Sequence, residues 1–557
     1  MSPAAETDRD RLMKPDELEV SAREWALAMT AIPSVTGTAD EATFSERLAS
    51  KLRESPAFRD DPDAVWTVPV PGGRWSRACV LGLLRGEGAR TVVLTGHFDT
   101  VETSCYGALE PLALDPERLG PALIAQIATE PFDERAARAR EDLESGAFIA
   151  GRGLLDMKAG LAAGIAVAES LARHDRRQGN ILFVAVPDEE GNSAGARRMA
   201  EVIGDIAARR GLNIVAAVNL DATGDEGDGT LGRMISLGSV GKLLPSALVV
   251  GRAQHVADTF RGFGAAALAG ALAAEVEWLP ELTERTGDEL GAGPTLLGMK
   301  DSKTAYDVTM PASVWMYWNV ALHRNGPRDV LGAMTRASER AASAHATSLA
   351  SRSQTLGAGA TIDDVAILSF DELHREVLAR DAGAAAVVEA LAAELASSDH
   401  DLPEQCRRLT EHIWMLSGRH GPAVVLGFAS VPYLPATLGA DENARRLEHA
   451  AKETSAWSAA RFGAGFRTVR YFPGISDVSF FGQADAASID AIAANTPAWR
   501  AVAGGSDRFA IAGIPTINMG PWGRDYHTRL ERMHSDFGFR VFPAALAELT
   551  GRLLSAG

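Results

Sequence analysis

Cysteine is nearly absent. The 557 residues hold three, Cys79, Cys105 and Cys406, an odd and widely spaced set that neither staples a disulfide framework nor supplies a paired-thiolate metal site. A reducing, cytoplasmic home is expected. Positive charge is also short: 55 Lys and Arg stand against 73 Asp and Glu, a formal net charge of -18, which leaves the chain as a whole no electrostatic hold on a phosphate backbone or an anionic lipid surface. No nucleic acid and no membrane is expected as a partner. Long apolar runs are missing too. The longest stretch of small apolar residues, 262–274, stops at Glu275, well short of the ~20 residues that span a bilayer, and the charged N-terminus has no apolar core behind it, so neither leader nor anchor is expected. No repeat of fixed period occurs, and the biased tracts are Ala-rich helices such as 384–396. With 46% hydrophobic and 23% charged residues, the remainder is the balance of a globular protein too long for one domain.

Helical spacing of apolar residues over 18–32, closed by Pro33, predicts an opening helix, and a second is expected to start near Asp40. β-rich runs at 65–70, 79–84 and 91–94 follow. A polar, helical stretch over 111–145 then reads as an insertion within 103–150. Beyond the Gly-rich loop 151–153 come a helix over 158–172, a strand over 181–186, a helix over 194–210 and a strand over 214–220. Strands alternating with helices predict an α/β fold on a largely parallel sheet. After the Gly/Asp loop 224–229 the pattern changes to a strand at 246–250, a helix at 265–276, a strand at 314–322 and a helix after Pro327, a smaller α+β unit. The α/β pattern resumes with strands at 423–428, 468–471 and 514–519. The expected organisation is a sheet domain in two parts, 1–234 and 351–557, interrupted by a smaller second domain over 235–350.

In open parallel sheets ligands gather beyond the carboxyl ends of the strands. His97 and Asp99 follow the strand 91–94, Asp188, Glu189 and Glu190 follow 181–186, Asp221 follows 214–220, and His527 follows 514–519. Asp156 ends the run 151–156 just before a helix. Singly, each reads as a surface residue, and Glu189-Glu190 as a solvated helix start. Together they place five candidate ligands at one sheet rim. Nitrogen and oxygen donors suit zinc first and cobalt or manganese next, and five exceed what one ion needs, which points to two divalent ions ~3.5–4 Å apart with a water between them. Asp156 is then the bridge, with His97 and Asp221 on one ion and Glu190 and His527 on the other. Asp99 is expected to accept the second imidazole N–H of His97 and fix its tautomer. Glu189 remains to take a proton from the bridging water.

Other motifs carry no chemistry. Gly238-Ser239-Val240-Gly241-Lys242-Leu243 misplaces the first Gly of a phosphate loop and puts Leu243 where Ser or Thr must reach magnesium. Gly474-Ile475-Ser476-Asp477-Val478 lacks the closing Gly of a nucleophile elbow and reads as a loop near the rim of the site.

On these residues the chain resembles the dinuclear-zinc peptidase and aminoacylase family, peptidase family M-twenty. Gly96-His97-Phe98-Asp99-Thr100-Val101 is similar to its His-x-Asp motif, Gly151-Arg152-Gly153 through Asp156-Met157-Lys158-Ala159-Gly160 to its bridging-Asp motif, Asp188-Glu189-Glu190-Gly191 to its base-plus-ligand pair, and His527 with Glu531 to its closing His-x-x-x-Glu. The insertion, the length and the string Tyr471-Phe472-Pro473-Gly474-Ile475-Ser476-Asp477 look most like its arginine-utilisation RocB-type branch. The resemblance implies a zinc-exopeptidase-like catalytic domain and a lid/dimerisation domain. Gly241-Lys242, Val249-Val250-Gly251 and His255 resemble the lid strand and the histidine that completes the partner subunit's site. It also implies a homodimer through that domain and a small-molecule substrate. The expected activity is hydrolysis of an amide or peptide C–N bond in a small N-acyl or peptide-like compound. Two alternatives stay open: a non-catalytic binding or regulatory protein on the same fold, and the same machinery acting on another bond, such as that of an aromatic amine.

Overall fold

An eight-stranded mixed sheet forms the centre of the first of two units in the computed structural model, which describes residues 15–174, 176–286, 289–360, 362–381, 383–472, 474–485, 487–504 and 509–555. Residues 1–14, read above as carrying no leader, and Pro473 lie outside the described residues. The first unit comprises Met1–Ser239, Ala436–Ala484 and Ala510–Gly557, and the second Val240–Pro435 and Asp485–Phe509.

Across the first sheet the order is Val65–Pro69, Ala78–Leu84, Gln178–Val186, Glu87–His97, Asn213–Asn219, Thr516–Met519, Met234–Ser236 and Arg467–Val469. The middle four strands, Gln178–Val186 to Thr516–Met519, run parallel. At the edges Val65–Pro69, Ala78–Leu84 and Met234–Ser236 join antiparallel. The parallel strands read as unbroken apolar runs because helices cover both faces, and every residue of Gln178–Val186 after the first is buried. Helix Ala159–Ala172 is made almost wholly of small and apolar residues and is buried over most of its surface. A Cβ at Gly160 would stand 2.0 Å from the Leu220 carbonyl oxygen, so glycine is what lets this helix start against the strand end that leads into Asp221.

Beside it lies a small sheet in the order Phe148–Ala150, Arg532–His534, Trp522–Arg524, Thr223–Gly224. No strand of two or three residues shows an alternation, so nothing in the sequence pattern announces this sheet. It gathers the stretch before Asp156, the loop that carries His527 and the stretch after Asp221. The insertion reaches it through a 3-10 segment, Ser104–Leu112, and the helices Pro116–Ile127 and Glu134–Glu144. Asp115 and Asp133 cap those helices by accepting the N–H groups of Arg118 and Ala136.

The second unit is an α+β layer. In its six-stranded sheet Ser313–Leu322 pairs antiparallel with Gly241–Leu243, Pro245–Val250 and Thr295–Asp301. Pro245–Val250 in turn pairs with Ala423–Phe428, and Ala366–Ser369 lies parallel beyond it. Ala423–Phe428 therefore belongs to this sheet, not to the catalytic sheet where the sequence pattern put it. A six-residue run buried throughout marks a strand covered on both faces, but that burial does not specify the sheet. The second unit accordingly extends to Pro435 and takes in Asp485–Phe509, where the expected domain closed at 350. Among the described residues no helix is long and apolar enough to cross a membrane.

Candidate metal centre

The strand ends deliver the donors. Glu87–His97 terminates on His97, which is 2% exposed. Asp188, in a left-handed conformation at φ 71°, turns the chain beyond Gln178–Val186 so that Glu189 and Glu190 follow at the rim. Asp221 comes two residues after the strand Asn213–Asn219. His527 stands on the turn between Trp522–Arg524 and Arg532–His534, with φ 65°.

These side chains converge. His97 Nε2 lies 3.1 Å from Asp156 Oδ1 and 3.8 Å from Asp221 Oδ1, while His527 Nε2 lies 3.1 Å from Asp156 Oδ2 and 2.9 Å from Glu190 Oε1. Among the described residues, three groups have ligand atoms within 4.8 Å of one another: His97, Asp156 and Asp221; Asp156, Glu190 and His527; and His97, Glu189 and Glu190. The first two contain the residues assigned above to the two ions. Glu189 Oε2 stands 3.9 Å from His97 Nε2. His255 is in none of the groups. It is an exposed residue of the second unit whose Nδ1 accepts the Ala257 N–H at 3.1 Å, capping the 3-10 turn Val256–Arg261.

Asp99 plays a different part from the one expected. His97 Nδ1 pairs at 3.0 Å with the main-chain carbonyl of Asp99, and the carboxylate is 3.7 Å away. That carboxylate instead accepts the backbone N–H groups of Glu189 at 3.1 Å and Glu190 at 3.2 Å and the Thr36 hydroxyl at 2.8 Å, so it fixes the Glu189-Glu190 turn. Glu531 is fully buried and accepts from the Gly153 N–H at 3.0 Å and from Arg152, tying the approach to Asp156 to the His527 loop. Asp477, 2% exposed, lies close enough to interact electrostatically with His97, Asp221 and Glu189. The sequence placed its loop near the rim without a role for it.

Charge balance decides what the cluster can hold. Hydrogen bonds to Asp156 first and Glu190 second raise His527 to about 10. Burial pushes the Asp156 carboxyl up, but hydrogen bonds from His527 and His97 outweigh it and hold the group below its ordinary value. Elsewhere burial prevails. It pushes Glu189 well up, with Asp477, Asp221 and Glu190 adding to it against His97, and it raises Glu190 and Asp221. Burial also raises Asp477 to about 7. These carboxyl groups outnumber the two imidazoles, and in a buried setting such a surplus calls for cations. Divalent ions held by imidazole nitrogen and carboxylate oxygen fit both the charge and the donor types.

The sequence profile of peptidase family M20/M25/M40 matches residues 127–537. Two Bacillus subtilis (strain 168) proteins align over nearly the whole chain: YqjN is 28% identical, with 94% of each chain covered, and Protein RocB is 26% identical, covering 95% of this chain and 94% of its own. In fold, the di-peptidase Dug1p from Saccharomyces cerevisiae superposes with a TM-score of 0.52 at 12% identity, covering 98% of both chains. A profile match over more than half of the sequence, on a chain whose histidines and carboxylates form clusters consistent with a dinuclear metal site, leads to one conclusion: this chain belongs to peptidase family M20/M25/M40.

Proposed function

We propose that the chain is a dinuclear metallohydrolase cleaving an amide or peptide C–N bond in a small N-acyl or peptide-like compound. The observation that carries this reading is Asp156, whose two carboxylate oxygens each face a different imidazole at 3.1 Å, as a carboxylate shared by two ions must. In this reading His97 and Asp221 hold one ion and Glu190 and His527 the other. Zinc is the first candidate, with cobalt or manganese as alternatives. Held by these residues, such a pair would supply a water of lowered pKa, towards ~7, and a Lewis acid for the carbonyl under attack. Proton handling falls to the protein. Glu189, whose Oε2 stands 3.9 Å from His97 Nε2, takes the proton of the attacking water and delivers it to the departing nitrogen. Asp99 holds the Glu189 and Glu190 amides, so the base and its ligand neighbour keep a fixed spacing.

The near full-length match to RocB supports a place in the RocB-type branch. Three free cysteines are what a reducing cytoplasm would leave. We infer also that the second unit pairs two chains and that His255 serves the partner's site, donating to the oxyanion that develops on the carbonyl. Its support is the motif resemblance around Gly241-Lys242 and Val249-Val250-Gly251 and the exposed position of His255.

The test is a reconstitution with zinc, cobalt or manganese followed by a hydrolysis screen over N-acyl amino acids, dipeptides, and N-carbamoyl and guanidino compounds, reading amine release. About two ions per chain and metal-dependent amine release are expected. No bound divalent metal after reconstitution overturns the reading, and bound metal without turnover across the panel favours a binding protein on the same fold.

A further inference from the structure

The two histidines of the site are held in different ways. His97 ends a central strand and is 2% exposed. His527 rides on the turn between two three-residue strands, its side chain is 42% exposed, and both it (φ 65°) and Asp525 (φ 54°) adopt the left-handed conformation that side chains with a Cβ resist. Such a turn keeps its shape only if its surroundings impose it.

The insertion packs against its flanking residues. Glu130 receives both terminal nitrogens of Arg529, at 2.9 and 2.5 Å. Arg135 pairs with Asp525. Asp142 accepts Arg524 Nη1 at 2.6 Å and Arg532 Nε at 2.8 Å, and Arg532 Nη1 reaches Asp525 at 2.7 Å, so one closed set of charges holds both ends of the turn. Leu530 packs on Ile127, Ala136 and Ala139 of the insertion's helices. The exit strand Phe148–Ala150 pairs with Arg532–His534, and the Phe148 ring lies under the Arg524 guanidinium at 4.8 Å. The partners Arg524, Asp525, Arg529 and Arg532 bracket His527 on both sides in sequence. Ion pairs that are partly exposed add little to global stability. Several directed at one short turn instead select a single conformation of it, and groups that orient a ligand from behind control metal affinity.

We propose that the insertion 103–150 is a clamp on the His527 turn, with Glu130, Arg135 and Asp142 as positioning residues for the ion that His527 and Glu190 hold. The proposal rests on the two-ion reading above. Because the clamp acts on His527 and not on His97, its loss separates the two ions.

The test uses full-length Asp142→Asn and Glu130→Gln chains, a two-step zinc titration and hydrogen exchange. One ion weakens about 10–100-fold while the other keeps its wild-type affinity, and amides of 525–531 exchange faster with the rest of the chain unchanged. Glu130→Arg behaves likewise, and the double variant Glu130→Arg with Arg529→Glu restores both the affinity and the protection. Wild-type affinities and exchange in the single variants overturn the clamp. So does equal weakening of both ions with faster exchange throughout, which marks a merely structural role. If the wild-type chain takes up fewer than two ions, the two-ion reading fails, and exchange at 525–531 with the charge swap decides the clamp alone.

Discussion

Asp156 touches both imidazoles, so Asp156→Ala is expected to lose more metal than any other single ligand change, with elemental analysis as the measure. Glu189→Gln separates base from ligand. It should keep the fold and most of the metal while turnover falls ~10²–10⁴-fold, and near-normal turnover would exchange the roles of Glu189 and Glu190. Protons compete with metal here. His527 keeps its proton to about pH 10 in the metal-free chain, and the raised Glu190 and Asp221 carboxyls hold theirs above the ordinary range. Affinity therefore strengthens as pH rises from about 6 towards 10, with proton release on binding, which calorimetry in buffers of different ionisation heat reads directly. Stability of the metal-free chain runs the other way. A histidine raised from 6.5 to about 10 contributes stability that is complete below its unfolded value and is lost as pH climbs through the folded one, and raised carboxyls cost stability once pH passes their unfolded values. An apo melting temperature that climbed over that range would contradict these assignments. At this scale the donors are legible because each stands just past a strand or in an ordered motif. The use of Asp99 is not legible, since a two-residue spacing cannot say whether the carbonyl or the carboxylate faces the ring.

Among the elements, the start of helix Ala159–Ala172 is a tight joint of the site. Gly160 closes the Asp156-Met157-Lys158-Ala159-Gly160 motif because its Cα faces the Leu220 carbonyl with no room for a side chain. The obstacle is backbone, which cannot rotate away. Gly160→Ala should therefore cost about 3 kcal/mol in urea unfolding and weaken metal binding by shifting Asp156 against Asp221. An unchanged midpoint would show that the helix start yields. Buried helices and strands of this unit are readable from the sequence because their apolar runs are long: the helices expected over 158–172 and 194–210 are Ala159–Ala172 and Ala194–Arg210. The small sheet that positions His527 is not readable, because its strands are two or three residues long and two of its three pairings join segments hundreds of residues apart. The same limit moved Ala423–Phe428, whose register with Pro245–Val250 is a long-range fact that no local pattern contains.

For the whole molecule the open question is whether one chain suffices. The first unit alone brings together both imidazoles, the carboxylates and Glu189, yet a hydrolase also needs a donor aimed at the oxyanion. In the proposed scheme His255 of a second chain supplies it. A single donor aimed there is worth about 3–4 kcal/mol, so His255→Ala should lower turnover ~10²–10³-fold with metal content unchanged. That loss alone does not show which chain the histidine serves. Mixing does. A Glu189→Gln chain and a His255→Ala chain are each inactive, but when they exchange into a heterodimer one of its two sites carries an intact base from the His255→Ala chain and an intact His255 from the other. Recovery of up to about half the wild-type activity per heterodimer, one competent site of two, is the expected outcome. A mixture that stays inactive although the chains demonstrably exchange, or a chain that sediments as a monomer at assay concentrations with full activity, would return His255 to the plainer role the structure already gives it, the cap of the turn Val256–Arg261.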